Sequence, residues 1–459
     1  MSRLLHLPAL LAALACTSDA PTAAQPDDDA IPEDTAPPTD TDWICAPDDA
    51  VCDGLCTPVR FDPKACGDCD TSCGEHEVCD EGRCIDRPAA PPCDDATRAA
   101  VLEPATPEAP SIALDCSLTL EPDDLVTKTL ELLGAAASGL TLDCQGATLR
   151  RTFGGPETVV ITSKKTGDTT WERPTDITVR DCRIEGSLRV QGQGANGQAP
   201  DVTTDSHTAG HRERAQADAP TRVLLERLTI TASGRIPLYL APGATQVTLR
   251  DSTLTGRSVS TVVYLDAESA HNHLHHNLFD AEIEANPLRR EVFAVDGSAD
   301  NVIAYNTLRQ PEGGGVFLYR NCGEGGAVRH QEPRRNQILS NRFEHDAAPS
   351  QPPVWVGSRN GQSLYRIFCR LDDGYDFGSS LDDDDYARNT VILGNRFVGD
   401  APESPLTLDD GPTLAHDNTL LDEPAPPAPC VVYRHHAAPR LIEDGAAFRG
   451  RVCREGKLH

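Results

Sequence analysis

Three short apolar segments end in charged residues: Val263-Tyr264-Leu265-Asp266, Phe293-Ala294-Val295-Asp296 and Phe317-Leu318-Tyr319-Arg320. Three more share the pattern: Leu238-Tyr239-Leu240-Ala241, Val354-Trp355-Val356-Gly357 and Leu406-Thr407-Leu408-Asp409. Stacked as strands about 4.8 Å apart, with alternate residues inward, they would bury Leu240, Leu265, Val295, Tyr319, Val356 and Leu408. The outward residues then form two columns. One is Tyr239, Tyr264, Ala294, Leu318, Trp355 and Thr407; the other is Ala241, Asp266, Asp296, Arg320, Gly357 and Asp409. Carboxylates one rung apart raise each other's pKa, and a guanidinium on the next rung lowers it. Such a set can orient a uronic acid carboxylate, hold a hard cation such as Ca²⁺, or supply an acid and a base. The expected catalytic set is Asp266, Asp296 and Arg320, with His330 and Tyr375 carrying protons. Tyr239, Tyr264, Glu268, Trp355 and Arg359 would contact substrate, the rings by stacking on sugars. As outward-facing positions, Asp296 and Arg320 are expected to tolerate alanine at a cost within about 0.5 kcal/mol.

Two inserts leave the strands beside Arg320 and Trp355. One runs Asn321-Cys322-Gly323-Glu324-Gly325-Gly326 to Arg329-His330-Gln331-Glu332. The other runs Ser358-Arg359-Asn360-Gly361 through Cys369 to Asp385. Loops over a rigid stack are where binding groups concentrate. His330 reads either as a proton carrier or as a residue satisfying a loop carbonyl, and the Asp382–Asp385 run as a solvated loop more readily than a Ca²⁺ site. The stretch from Ser206 to Arg214, with His207, His211 and Arg212, could cap the groove. His271, His273 and His275 alternate on one strand face, which fits a polar outer surface better than a metal site.

The elements that must position these residues repeat. Leu140-Thr141-Leu142-Asp143-Cys144, Ile177-Thr178-Val179-Arg180-Asp181-Cys182, Val223-Leu224-Leu225-Glu226 and Val247-Thr248-Leu249-Arg250-Asp251 form one line. It continues as Asn-x-apolar-x-x-Asn-x-apolar units with Asn272 to Asn277, Asn301 to Asn306 and Asn336 to Asn341, and then Thr390 to Asn395. Each unit is a short period-two strand ending in a turn residue. Variable connections on constant strands are what a solenoid tolerates. Asn277, Asn306, Asn341 and Asn395 are expected to form a side-chain ladder at a coil corner.

Over 111–425 this pattern resembles the right-handed parallel β-helix of the pectin-lyase-like superfamily, and it is most similar to the broad group of right-handed β-helix region proteins. The resemblance implies an all-β solenoid that acts on or binds polysaccharides. The chain lacks the Asn-Thr-Asp and Gly-His-Gly signatures of polygalacturonases, the Asp-Pro-His-Asp of mannuronan epimerases and the Trp-Ile-Asp-His line of pectate lyases. No catalytic residue is therefore carried over. Three functions stay open: a lyase or C5-epimerase on an acidic polysaccharide, a non-catalytic carbohydrate- or surface-binding protein, and a scaffold. A hydrolase fits less well, because an inverting carboxyl pair needs about 6.5–9.5 Å and one rung gives less.

The rest of the chain bears on location. Its 459 residues carry 17 cysteines and a net charge of −30. Such a charge repels phosphate backbones and excludes a general nucleic-acid binder. Arg3, the apolar run from Leu4 to Leu14 and Ala13-Leu14-Ala15-Cys16 resemble a bacterial lipoprotein signal, which implies acylation of Cys16 and a membrane partner through a lipid anchor; an ordinary signal peptide is the alternative. The expected order is a signal at 1–16, a disordered linker at 17–44, a Cys-rich module at 45–84, a linker at 85–110, the β-helix at 111–425 and a disulfide-pinned tail at 426–459. The module resembles small Cys-rich domains and is too short for an apolar core, so disulfides or, in a reducing compartment, zinc must staple it. Cys144 and Cys182 hold similar places in neighbouring coils and could bridge. Cys93–Cys116 would pin the start, Cys322–Cys369 the two inserts and Cys430–Cys453 the tail.

Overall fold

The computed structural model describes residues 50–52, 55–57, 59–60, 65–74, 77–154, 157–284, 290–360, 367–421, 431–432, 451–454 and 457–458. Expectations for Cys16, the signal, the first linker and Cys430 lie outside these residues, as does the side chain of Cys453.

Three parallel sheets of ten strands each wind into a right-handed β-helix of ten coils. Sheet I runs from Ser111–Leu114 to Leu406–Leu408, sheet II from Leu118–Thr119 to Thr413–His416, and sheet III from Leu125–Val126 to Thr419–Leu421. No coil can bury its inner face alone; each supplies an apolar residue per sheet to a column shared with its neighbours. In sheet I one such column is Leu240, Leu265, Val295, Leu318 and Val356, all fully buried. Phe279 against Phe293 and Phe343 on Phe397 fill wider parts of the core.

The asparagine ladder forms, and it satisfies buried backbone as well as side chains. Asn277 donates its backbone N–H and its Nδ2 to Oδ1 of Asn306, each at 3.0 Å, and Asn306 does the same to Asn341. Asn341 continues to Asn395, and Asn395 to Asn418. The second Nδ2 hydrogen reaches back to a strand carbonyl, as from Asn306 to Leu274 at 2.8 Å. A second ladder joins Asn272, Asn301 and Asn336. The residue before each ladder Asn turns the corner in the left-handed region, including His276 at φ 58°, Tyr305 at 55° and Ser340 at 51°. A non-glycine residue accepts that conformation at a cost, and here the ladder bonds over-determine it.

The start of the stack is closed by structure within 85–110, a segment expected to be only a linker. A helix at Asp95–Leu102, capped by Asp94 accepting from the Thr97 N–H at 2.8 Å, inserts Val101 into the end of the core. Its apolar end covers the otherwise open first coil, the requirement for a capping element in a solenoid. Disulfides join Cys93 to Cys116 and Cys144 to Cys182 in this region, and Cys322 to Cys369 between the late inserts. In the Cys-rich module, Cys66–Cys79 and Cys73–Cys84 staple a hairpin of Glu77–Asp80 and Arg83–Asp86.

One register differs from expectation. Val316, not Phe317, pairs with Phe293, so Leu318 faces the core and Tyr319 faces outward beside Asp296. A one-residue shift moves every side chain to the other face. Arg320 therefore leaves the aspartate column, and its place is taken by Tyr319.

Candidate functional site

The outer face of sheet I carries both predicted columns, corrected by that shift. Tyr239, Tyr264, Ala294, Phe317, Trp355 and Thr407 stand in register, as do Asp266, Asp296 and Tyr319 in the coils between. This face is not an open groove. Tyr239, Ala241, Tyr264, Ala294, Phe317 and Tyr319 form a second, outer apolar cluster, with the Tyr239 and Tyr264 rings stacked at 4.9 Å. Three inserts cover it. They are helices Pro200–Ser206 and His211–Asp218, the segment 321–335, and the described residues 357–360 and 367–388.

The residues expected to do chemistry are the ones that hold this cover down. Asp266, 1% exposed, accepts from Tyr239 Oη at 2.6 Å, from the Gly197 N–H of the helical insert at 2.8 Å and from the Ala267 N–H at 2.9 Å. Asp296, fully buried, accepts from Tyr264 Oη at 2.6 Å and from both the N–H and Nδ2 of Asn321 at 2.7 Å. Glu268 accepts the His330 N–H at 2.8 Å. Arg320, 4% exposed, donates to Asp382 Oδ1 at 3.0 Å and to the Asp384 carbonyl at 2.5 Å. The open catalytic groove of Asp266, Asp296 and Arg320 is thus corrected to a buried polar seam. Period-two strands show which side chains leave the core, but not that distant inserts return over them.

Residues not assigned a role from sequence complete the seam. Asp385, buried within a run read as a solvated loop, accepts the N–H groups of Arg320 at 2.8 Å and Arg359 at 2.9 Å, tying the far end of its insert to the insert's start and to the end of strand Val316–Tyr319. Arg329 is buried over the aspartates and donates from Nε to the Asn321 carbonyl at 3.1 Å and from Nη1 to the Gly197 carbonyl at 3.3 Å. A side chain at Gly197 would put Cβ 2.3 Å from Arg329 Nη1, so any larger residue there would have to push the guanidinium aside. The only sequence signal for Arg329 was its place beside His330, and for Asp385 its place at the end of an acidic run.

Burial sets the electrostatics. It pushes the Asp266 carboxyl up to about 6, against the opposing pull of Arg329. Burial pushes Asp385 up to about 7 despite its two N–H donors. The Tyr239 and Tyr264 phenols are driven well above 10, first by burial and then by the aspartates they face, so neither is a ready base. Burial also works against the charge of Arg329, but Asp266 and Asp296 outweigh it and keep the guanidinium protonated.

Above the seam the three inserts bring five rings into a continuous row. His211 meets His330 edge-on at 5.3 Å, and His330 lies 4.7 Å from Phe377. Phe377 is 5.7 Å from Tyr375, which stacks on His207 at 4.7 Å. His211 is buried and donates from Nδ1 to Asp205 at 2.6 Å; the other four rings are partly exposed. Burial pushes the Asp205 carboxyl up, but its bonds from His211 and Arg214 prevail and bring it to about 2. His330 and His207 donate from Nε2 to the carbonyls of Ser206 and Gly326, both at 2.8 Å, which fixes their tautomers. Burial lowers the His330 pKa, so its ring is neutral near pH 7. Trp355, half-buried, donates from Nε1 to Asp409 at 2.8 Å and meets Phe317 edge-on. Arg359 lies 4.1 Å over the Tyr319 ring and Arg388 4.0 Å over Tyr386.

Residues 31–86 match the stigma-specific STIG1-like protein family. This match covers the Cys-rich module and its flanks only. No curated protein matches the chain in sequence. Among solved structures the chain is similar to an alginate lyase from Paenibacillus sp., with 12% identity, a TM-score of 0.39, and coverage of 69% of this chain and 95% of that one. It is similar to the GH136 lacto-N-biosidase from Eubacterium ramulus, with 11% identity, a TM-score of 0.32, and coverage of 69% and 46%. A third is the Streptococcus pneumoniae surface protein and adhesin PfbA, with 8% identity, a TM-score of 0.29, and coverage of 68% and 82%. None of these assigns a role to a residue here. As for metals, the sulfurs of Cys66, Cys73 and Cys84 lie close enough to share an ion, but all three are in disulfides, so the zinc alternative for the module fails at these positions.

Proposed function

We propose that this protein is exported and binds an acidic polysaccharide without cleaving it, the glycan lying over the ring row where the three inserts meet. The observation that carries this reading is the row itself. His207, Tyr375, Phe377 and His330 come from three separate segments and present partly exposed rings in one line. Ring faces held in place offer sugars apolar contact at little cost in side-chain ordering. Arg359 and Arg388, stacked on tyrosines at the late coils, supply cations for carboxylates. Against turnover stands the engagement of Asp266, Asp296 and Arg320 beneath the inserts. Lyase and epimerase chemistry both need a base at the sugar C5 proton; the buried phenols are poor candidates for it, and His330 and Tyr375, which lie in the row itself, are the groups whose turnover the product assays below test.

The described disulfides suit an oxidising compartment. Acylation of Cys16 would tether the protein, and 17–44 would hold the module and solenoid away from the membrane. The test incubates the full chain with alginate, pectate, glycosaminoglycans and neutral glucans. Retardation in affinity gels by acidic polymers, with no rise in absorbance near 235 nm and no solvent deuterium at C5, is the expected result. Either product signal would overturn the binding-only reading, and equal retardation by neutral glucans would overturn the acidic preference.

A further inference from the structure

A second site lies on the outer face of sheet II, away from the capped face of sheet I. The segment His271-Asn272-His273-Leu274-His275-His276 places four imidazoles within six residues. The strand is His273–His275, with Leu274 inward, so His273 and His275 share the outer face. His271 is instead a corner residue at φ 58°, so the three-histidine face expected from spacing has two members. The informative contact is between neighbours. His276 turns the next corner at φ 58°, and that turn brings its ring back onto His275, with the two Nδ1 atoms 2.9 Å apart.

We propose that His275 and His276 chelate copper(II) through their Nδ1 atoms. Two imidazole nitrogens at metal bonds of about 2.05 Å span about 2.9 Å when they subtend a right angle, and about 3.3 Å at the tetrahedral angle. The observed 2.9 Å separation is the right-angled chord. Right-angled nitrogen donors suit the square-planar or tetragonal preference of copper(II) and nickel(II), and copper(II) binds more tightly in this series. In the metal-free protein one Nδ1–H donates to the other nitrogen; on binding, that ring shifts its proton to Nε2, which frees its Nδ1 lone pair for the ion.

The His276 ring is supported, and a modest turn of the two rings brings their Nδ1 lone pairs to one ion. His276 stacks on Tyr305 of the next coil at 5.0 Å and stands at 86° to His275. Tyr305 and His276 occupy equivalent left-handed corners, so the stack is set by the solenoid repeat and not by a mobile loop. Asp251, at the equivalent corner one coil earlier, adds a favourable negative charge beside His276. The cation nearest in register, Arg250, is paired with Glu226 and does not compete for the imidazoles. His276 is exposed and His275 partly so, which leaves an ion free to keep water or another donor in its remaining positions.

The test titrates the full chain with CuCl₂ against glycine as competitor, following the electron paramagnetic resonance spectrum. One equivalent should bind with hyperfine splitting from two nitrogens. His275→Gln and His276→Gln should each weaken uptake at least about tenfold, while His416→Gln should leave it unchanged. Glutamine is compatible with the left-handed conformation at 276, because Gln145, Gln246 and Gln310 adopt it at φ 48°, 54° and 48°, and an unchanged melting curve will confirm folding. Copper affinity and spectrum the same in His276→Gln as in the native chain would overturn the proposal.

Discussion

Replacing Asp296 with alanine separates a surface carboxylate from a structural one. Asp296 is fully buried and accepts three hydrogen bonds of 2.6 to 2.7 Å. Alanine would strand the Asn321 N–H and one Nδ2 hydrogen beneath the inserts, and would leave Tyr264 Oη with only its 3.1 Å contact from Asn321 Nδ2. Each buried donor left without an acceptor costs about 1–3 kcal/mol. Since the three share one site and partly relax together, the expected loss is about 3–5 kcal/mol, several times the surface value expected from sequence. Urea unfolding of Asp296→Ala, with hydrogen exchange read at the Asn321 amide, measures it. Exchange at Asn321 should accelerate before the strands of sheet I open, because the lost bonds fasten an insert and not the coil. A loss below about 1 kcal/mol with Asn321 still protected would refute the clamping role.

The contributions of Asp266 and Asp385 to stability should fall as pH rises from about 4 to about 7, against the opposite trend of histidines such as His345, which burial lowers to about 4. Asp266 and Asp385, pushed up to about 6 and about 7, bind their protons more tightly folded than unfolded, so their contribution is complete below the ordinary aspartate pKa of 3.8 and gone above about 7. The urea midpoint of the native chain relative to that of Asp385→Asn should descend from pH 4.5 through 6 to 8. Asn306→Ala removes one rung of the ladder and strands the Asn277 N–H and Nδ2 and the Leu274 carbonyl, all buried. It should cost about 2–5 kcal/mol by denaturant unfolding, whereas Asn306→Asp should recover part of that loss by keeping the acceptor.

Most of the solenoid was legible because it is local. A period of two within each strand and an asparagine at each corner report directly on which residues face inward, and the ladder needs only those asparagines in register. The slip at Val316 shows the limit. Val316-Phe317-Leu318-Tyr319 is apolar throughout, so alternation gives no phase, and the pairing with Phe293 decides it. The capped face was illegible for another reason. The Gly197 N–H that meets Asp266 comes from 69 residues earlier, and the Asp385 carboxylate that meets the Arg320 N–H from 65 residues later. Nothing in the spacing of an irregular insert encodes where it lands. Apart from Leu318, Tyr319 and Arg320, the columns were therefore read correctly as outward but wrongly as open.

The central claim is that the ring row at the insert junction binds an acidic glycan. Calorimetric titration of uronate oligosaccharides into the native chain and into a Tyr375→Ala/Phe377→Ala double variant tests it most directly. Both rings are partly exposed, so the variant should melt close to the native protein while its affinity falls at least about tenfold, the equivalent of about 1.4 kcal/mol of lost contact. Unchanged affinity in a variant that melts like the native chain would contradict the account.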